Sequence, residues 1–107
     1  MDLFALPTPA LVLDLNRLER NLGRMAQRAR RLGVRLRPHI KTHKSIEVAR
    51  RQREHGAAGI TVSTLQEARA FAAAGFDDIT WAFPLIVHRL PEARELAERV
   101  RFAVTVD

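Results

Sequence analysis

The fold is predicted most directly by residues 59–83, which read GITVSTLQEARAFAAAGFDDITWAF. Residues 59–64 and 78–83 are rich in β-branched and aromatic side chains, which favour strands. Between these two runs, Thr64 is placed to cap a helix over residues 65–74, and a glutamate three positions later completes a capping box. A strand, a helix and a second strand in this order are typical of a βαβ unit with parallel strands.

The same alternation continues on both sides of this unit. Three further strands are predicted, namely 10–13, 35–41 and 101–106, and three further helices, namely 15–32, 46–55 and 91–99. No Gly-x-Gly-x-x-Gly or Walker A pattern follows a strand, so a dinucleotide-binding Rossmann fold has no support. The remaining architectures are a flavodoxin-like sheet and a (β/α)8 barrel. A barrel takes about 250 residues, so the 107 residues predict an α/β fold of parallel (β/α) units forming roughly the first half of a TIM-type (β/α)8 barrel.

Composition and charge narrow the class of protein. Hydrophobic residues make up 47% of the chain and charged residues 28%, as in a globular domain. There is no apolar run long enough to span a bilayer and no signal peptide, so we expect a cytoplasmic protein with no membrane partner. The net charge of +6 suggests nucleic acid, but only 6% of the residues are aromatic. The arginines also follow the polar face of one helix, so no specific nucleic-acid partner is predicted.

Two lysines are distinctive in this arginine-rich chain. Sixteen of the 18 basic residues are arginines, and the other two are Lys41 and Lys44. An amine is a nucleophile that a guanidinium cannot replace. Lys41 is predicted at the carboxyl end of strand 35–41, where parallel α/β folds collect their active sites. Burial there would lower the pKa of Lys41 from about 10.4 and allow a Schiff base with an aldehyde such as pyridoxal phosphate. The competing interpretation is an ordinary surface lysine.

Two neighbours of Lys41 are further candidates for cofactor binding. Alternation along the predicted strand places Arg37 and His39 on the same polar side as Lys41. His39 and His43 have the spacing of a helical zinc motif, but along a strand that spacing is about 13 Å, too far for one metal ion. His39 is therefore predicted to line the pocket, and His43 to lie in the following loop.

The run RPHIKTHK at residues 37–44 carries a family resemblance. It resembles the D-threonine aldolase and D-serine dehydratase group of pyridoxal-phosphate enzymes, which have an alanine-racemase-like N-terminal barrel of fold type III. Three other stretches are similar to the same group: residues 8–14, residues 59–64 with the following Glu67-Ala68, and residues 82–84. The first lysine of the run carries the cofactor in that family. The resemblance therefore implies that Lys41 is the catalytic lysine and that pyridoxal 5'-phosphate is the cofactor.

The resemblance also implies what this chain does not contain. Family members have a complete barrel followed by a C-terminal β domain, so residues 1–107 are predicted to be a partial N-terminal barrel domain without the rest of the barrel and the β domain. A divalent metal bound by that C-terminal domain is expected in the full-length protein, with no metal ligands in this chain. A homodimer is expected for the full-length protein.

The activity implied for the full-length protein is D-threonine-aldolase-type cleavage of β-hydroxy-D-amino acids to glycine and an aldehyde. A D-serine dehydratase that releases pyruvate and ammonia, or an amino-acid racemase, would use the same cofactor. A non-catalytic pyridoxal-phosphate-binding protein and an inactive truncated remnant are alternatives of another class. Whether the 107 residues have activity alone is left open.

Overall fold

The structure is a computed structural model that describes residues 2–107, in which helices alternate with parallel strands. The α-helices are Leu15–Arg31 (α1), Ile46–Glu54 (α2), Leu65–Ala73 (α3) and Leu90–Ala97 (α4). The strands are Ile60–Val62 (β1), Asp78–Pro84 (β2) and Arg101–Thr105 (β3). Short 3-10 turns lie at Leu3–Ala5, Ile40–Thr42 and Val87–Arg89. No helix in this described part of the chain combines the length and the apolar character needed to cross a bilayer.

The strands lie side by side in the order in which they follow one another in the chain. β1 pairs with β2 and β2 pairs with β3, both in parallel. A flavodoxin-like sheet would reverse its strand order at one point, whereas a barrel adds each strand to the same edge. The sequential order therefore confirms the predicted parallel (β/α) units and favours the barrel over the flavodoxin-like alternative.

One face of the sheet is covered by helices and forms the core. The strands contribute four buried side chains to a core cluster, namely Ile60 and Val62 from β1 and Ile79 and Trp81 from β2. The helices contribute Ala49 from α2, Leu65, Ala68 and Phe71 from α3, and Ala93 and Leu96 from α4. Because side chains alternate along a strand, the opposite, inner face carries the residues between them. Thr61, Thr80 and Ala103 are aligned across that inner face, so it is lined by small side chains.

The local signals for helix ends are confirmed. Thr64 Oγ1 accepts a hydrogen bond from the Glu67 N–H at 3.0 Å, and the Glu67 carboxylate accepts one from the Thr64 N–H, which completes the predicted capping box. Ser45 caps α2 as predicted, since its hydroxyl accepts from the Val48 N–H. The chain leaves α3 through Gly75, whose φ of 87° lies in the left-handed region that favours glycine.

The strand predicted at residues 35–41 is wrong in its hydrogen bonding. This segment runs beside β1 but forms only one isolated parallel bridge, between His39 and Thr61. The Pro38 carbonyl accepts from the Thr61 N–H at 2.9 Å. Pro38 has no N–H to donate to the neighbouring strand, so the hydrogen bonds between this segment and β1 cannot continue as a regular parallel ladder. The segment then turns into the 3-10 turn Ile40–Thr42 instead of continuing as a strand.

The short strand predicted at residues 10–13 is also wrong, because no other described segment pairs with it. The apolar stripe of the first helix is only partly covered. Leu18 and Leu22 are half-buried, whereas Leu15 and Met25 on the same stripe are exposed within residues 2–107. The helix predicted at residues 15–32 is therefore confirmed, but only part of its apolar stripe is covered.

The amino ends of the strands are held together by a close backbone approach at Gly59. The Arg37 guanidinium donates to the carbonyl of Ile60 at 3.4 Å and of Asp78 at 3.3 Å, and pairs with the Asp78 carboxylate at 2.8 Å. A Cβ at Gly59 would lie only 2.7 Å from the Asp78 carbonyl oxygen and would also clash with the Arg37 side chain. This position therefore needs glycine because of space.

Gly59→Ala is expected to lower the free energy of unfolding by about 1–3 kcal/mol, the cost of overpacking a tight site. The matched control is Gly23→Ala in α1, where a Cβ would lie an ordinary 3.8 Å from the nearest atom, Cε1 of His55. That change should raise stability by up to about 1 kcal/mol, because alanine is the better helix former. Urea unfolding of the full-length protein measures both. A stability change of the same sign in the two variants would contradict the close approach at Gly59.

Candidate active site

Lys41 lies at the carboxyl edge of the sheet, in the 3-10 turn Ile40–Thr42. The residue before this turn, His39, is bridged to β1, and Ser63 follows β1 at the same edge. Ile40 is completely buried in the core cluster, which fixes the turn from below. The fold therefore presents Lys41 on an anchored turn at the end of the sheet where active sites of parallel α/β proteins form.

The Lys41 side chain is exposed, and within residues 2–107 its Nζ has no hydrogen bond or ion pair. The burial predicted for Lys41 is therefore wrong for this part of the protein. The physical reason is the turn itself, because Ile40 enters the core and Lys41 comes directly after it. An amine without a partner at this edge can still react with an aldehyde.

His39 lies beside Lys41, on the inner side of the sheet. Its Nδ1 accepts a hydrogen bond from the Lys41 backbone N–H at 3.3 Å, and its Nε2 lies 3.5 Å from Oγ of Ser63. An accepting Nδ1 assigns the ring proton to Nε2, the nitrogen that faces the serine hydroxyl. Burial lowers the pKa of His39, and the positive charge of Lys41 lowers it further, which agrees with a neutral ring.

His43 holds the other end of the same turn. Its Nδ1 accepts from the Ser45 backbone N–H at 3.0 Å. Burial lowers the pKa of His43, although the neighbouring Gln52 partly offsets this. The two histidines therefore brace the turn by the same i to i+2 contact, each through its Nδ1. The described part of the chain contains no cluster of three or more His, Asp or Glu side chains that could bind a metal ion.

The second lysine is engaged in an ion pair that the sequence analysis did not predict. Nζ of Lys44 lies 2.6 Å from Oε1 of Glu67, whose side chain is only 9% exposed. From the sequence, Glu67 is expected in the capping box of α3 and in a stretch similar to the family, but not in contact with Lys44. Both residues follow predicted strands, which places them at the same edge of the sheet. They are 23 positions apart in the chain, so the sequence alone does not predict that they are in contact.

Arg37 is not brought together with His39 and Lys41. Its guanidinium reaches back to Ile60 and Asp78 at the amino ends of the strands, away from the edge that carries Lys41. The hydrogen bond from Arg37 is also the largest cause that lowers the pKa of Asp78. The observed contacts of Arg37 are thus structural ones.

Residues 13–107 match the family described as alanine racemase, N-terminal domain. The chain belongs to this family. The resemblance derived from the run at residues 37–44 is thereby confirmed at the level of the family.

Individual family members have related names. D-threo-3-hydroxyaspartate dehydratase of Delftia sp. (strain HT23) is 57% identical over 91% of this chain and 26% of its own length. Its solved structure has a TM-score of 0.93, with 54% identity over 96% of this chain and 27% of that chain. D-threonine aldolase of Arthrobacter sp. is 43% identical, covering 94% of this chain and 27% of its own length. D-serine dehydratase of Dictyostelium discoideum is 37% identical, and the match covers 89% of this chain and 25% of that protein's own length. The chain spans about a quarter of the length of these relatives.

His39 is expected to titrate below its ordinary pKa of 6.5 in the folded protein. Because the folded state then binds this proton less readily than the unfolded state, the contribution of His39 to stability is complete above pH 6.5 and is lost as the pH falls. NMR titration of the ring in the full-length protein without cofactor measures the midpoint. In His39→Asn the amide oxygen can still accept from the Lys41 N–H, so this variant should lose part of the acid destabilisation. A midpoint at or above 6.5 would contradict the neutral ring.

Proposed function

We propose that the full-length protein is a pyridoxal-phosphate-dependent lyase acting on β-hydroxy-D-amino acids, and that Lys41 is the residue bound to the cofactor. The observation that supports this most directly is the contrast between the two lysines. Lys41 presents an unpartnered amine at the carboxyl edge of the sheet, whereas Lys44 is paired with Glu67. The names of the relatives supply the substrate class. Residues 1–107 are, in this proposal, the first part of the barrel.

The residues at this edge fit the proposed cofactor. A primary amine is the group that condenses with the aldehyde of pyridoxal phosphate. The inner face next to Lys41 carries Thr61, Thr80 and Ala103, which are small side chains that leave space above the sheet. Once bound, the cofactor would act as an electron sink for the bond broken at the substrate Cα.

The other residues of the turn have supporting roles in this proposal. His39 holds the Lys41 backbone through its Nδ1 and keeps a neutral ring beside the reactive amine. Ser63 receives the remaining N–H of that ring. Arg37 binds the amino ends of the strands, so we assign it a structural role and not the cofactor contact that its position in the sequence suggested.

Two outcomes at the substrate are candidates. Aldolase-type cleavage breaks the bond between Cα and Cβ and gives glycine and an aldehyde. Dehydration removes the β-hydroxyl as water and, after hydrolysis, gives a 2-oxo acid and ammonia. Dehydration is supported by the 57% identity to a dehydratase, and cleavage by the 43% identity to an aldolase, so both reactions are tested.

Incubating the full-length enzyme with D-threonine, D-serine and D-threo-3-hydroxyaspartate distinguishes these reactions. Aldehyde release supports the aldolase, and 2-oxo acid with an equal amount of ammonia supports the dehydratase. The L-enantiomers are assayed in parallel. Turnover of the L-enantiomers alone, or of none of the three D-amino acids, would contradict the proposal. A divalent metal, a homodimer and a cytoplasmic location stay predictions from the sequence.

Lys41→Arg and Lys44→Arg form a matched pair of variants. Arginine cannot replace the amine at position 41, so Lys41→Arg is expected to fold normally and to lose covalent cofactor and nearly all turnover. Lys44→Arg keeps a cation opposite Glu67 and is expected to change stability by no more than about 0.5 kcal/mol. Borohydride reduction of the pyridoxal-phosphate form, followed by peptide mapping, locates the modified lysine. Equal activity and equal cofactor content in the two variants would remove Lys41 from the proposed site.

A further inference from the structure

Two primary amines lie three positions apart on the same turn, and they have the same intrinsic chemistry. What differs is their surroundings. Within residues 2–107, Lys41 has no partner, while Nζ of Lys44 lies 2.6 Å from Glu67. An aldehyde could therefore react with either of two amines in this run, and the structure holds Lys44 in an ion pair.

The acceptor for Lys44 is rigidly placed. Oε2 of Glu67 accepts from the backbone N–H of Ser63 at 2.8 Å and of Thr64 at 3.3 Å, which leaves Oε1 for the lysine. Burial alone would raise the pKa of Glu67, but the hydrogen bonds from Lys44 and Ser63 outweigh it, and the pKa is lowered. The carboxylate is thus ionised and fixed at neutral pH.

The backbone at Lys44 has a conformation that is uncommon for a residue other than glycine. Its φ of 50° is left-handed, which costs about 1–2 kcal/mol for a residue other than glycine. The Lys44 N–H donates to the Ile40 carbonyl at 2.7 Å, which closes the turn. The turn hydrogen bond and the ion pair together support a conformation that the residue would otherwise avoid.

We propose that Glu67 is a positioning residue that selects Lys41 as the reactive amine, by holding Lys44 as a paired ammonium against the start of α3. This rests on the proposed function of Lys41. In the competing reaction a lysine amine attacks the aldehyde carbon, a C=N bond forms and one water leaves. An ammonium has no lone pair for that attack, so Lys44 must first lose its proton and leave the buried carboxylate without a counter-ion.

The first experiment measures amine reactivity without any cofactor. The full-length protein is treated with trace acetic anhydride, and the acetylation of Lys41 and Lys44 is quantified by peptide mapping. In Glu67→Gln, which keeps the side-chain shape, Lys44 should be acetylated faster by up to about fivefold, as expected for the loss of an ion pair worth up to about 1 kcal/mol. Lys41 should change by less than about twofold. Glu95→Gln, which removes an exposed pair with Arg99, is the matched control and should leave Lys44 unchanged.

The second experiment tests selection itself. Pyridoxal phosphate is added to Lys41→Ala and to the double variant Lys41→Ala with Glu67→Gln, and borohydride then adds hydride to any C=N bond to give a stable secondary amine. We expect no label on Lys44 in the single variant and clear label in the double variant. If Glu67→Gln does not fold, Glu67→Asp takes its place, because the shorter side chain withdraws the carboxylate from Lys44.

The outcomes separate this inference from the proposed function. A wild-type protein labelled at Lys41, together with unchanged Lys44 labelling and acetylation in the Glu67 variants, overturns the role of Glu67 and leaves Lys41 in place. A wild-type protein that carries no label at Lys41 overturns the proposed function, whatever Glu67 does. A purely structural role for Glu67 would alter stability but would not move the label from one lysine to the other.

Discussion

Parallel pairing of strands that are also consecutive in the chain is the constraint on which the rest of this structure depends. Each strand must be followed by a crossover that returns over the sheet, and right-handed crossovers bring all the helices to the same face. Ile60, Ile79 and Trp81 turn toward those helices and form the core. The other face is left with small residues, and the segments that follow each strand all arrive at one edge. The position of Lys41 at that edge is a consequence of this arrangement.

The signals that act within one turn of the chain could be read from the sequence. A threonine followed three positions later by a glutamate begins α3, and Gly75 ends it, because capping and left-handed backbone depend only on neighbouring residues. The strands at β2 and β3 were predicted nearly to the residue for a similar reason. Each is a short run of β-branched and aromatic residues with a clear boundary on both sides.

The contacts that depend on the third dimension could not be read in this way. Alternation put Arg37 on the same side as Lys41, but a long side chain can turn back along the sheet, and its partner Asp78 is 41 positions away. Lys44 and Glu67 are 23 positions apart. Pro38 is an intermediate case. Its missing N–H is visible in the sequence, yet only the structure shows that this gap reduces a whole predicted strand to one bridge.

Three side chains anchor the turn that carries Lys41, namely His39, His43 and Glu67, and their contacts depend on pH in the same direction. His39 and His43 accept backbone hydrogen bonds only while their rings are neutral, and Glu67 holds Lys44 only while its carboxylate is ionised. All three pKa values are lowered, so each anchor weakens in the same direction, toward acid. At neutral pH and above, both rings are neutral and the Glu67 carboxylate is ionised, so all three anchors are in place together. The backbone that carries Lys41 is therefore held fixed while its exposed side chain stays accessible.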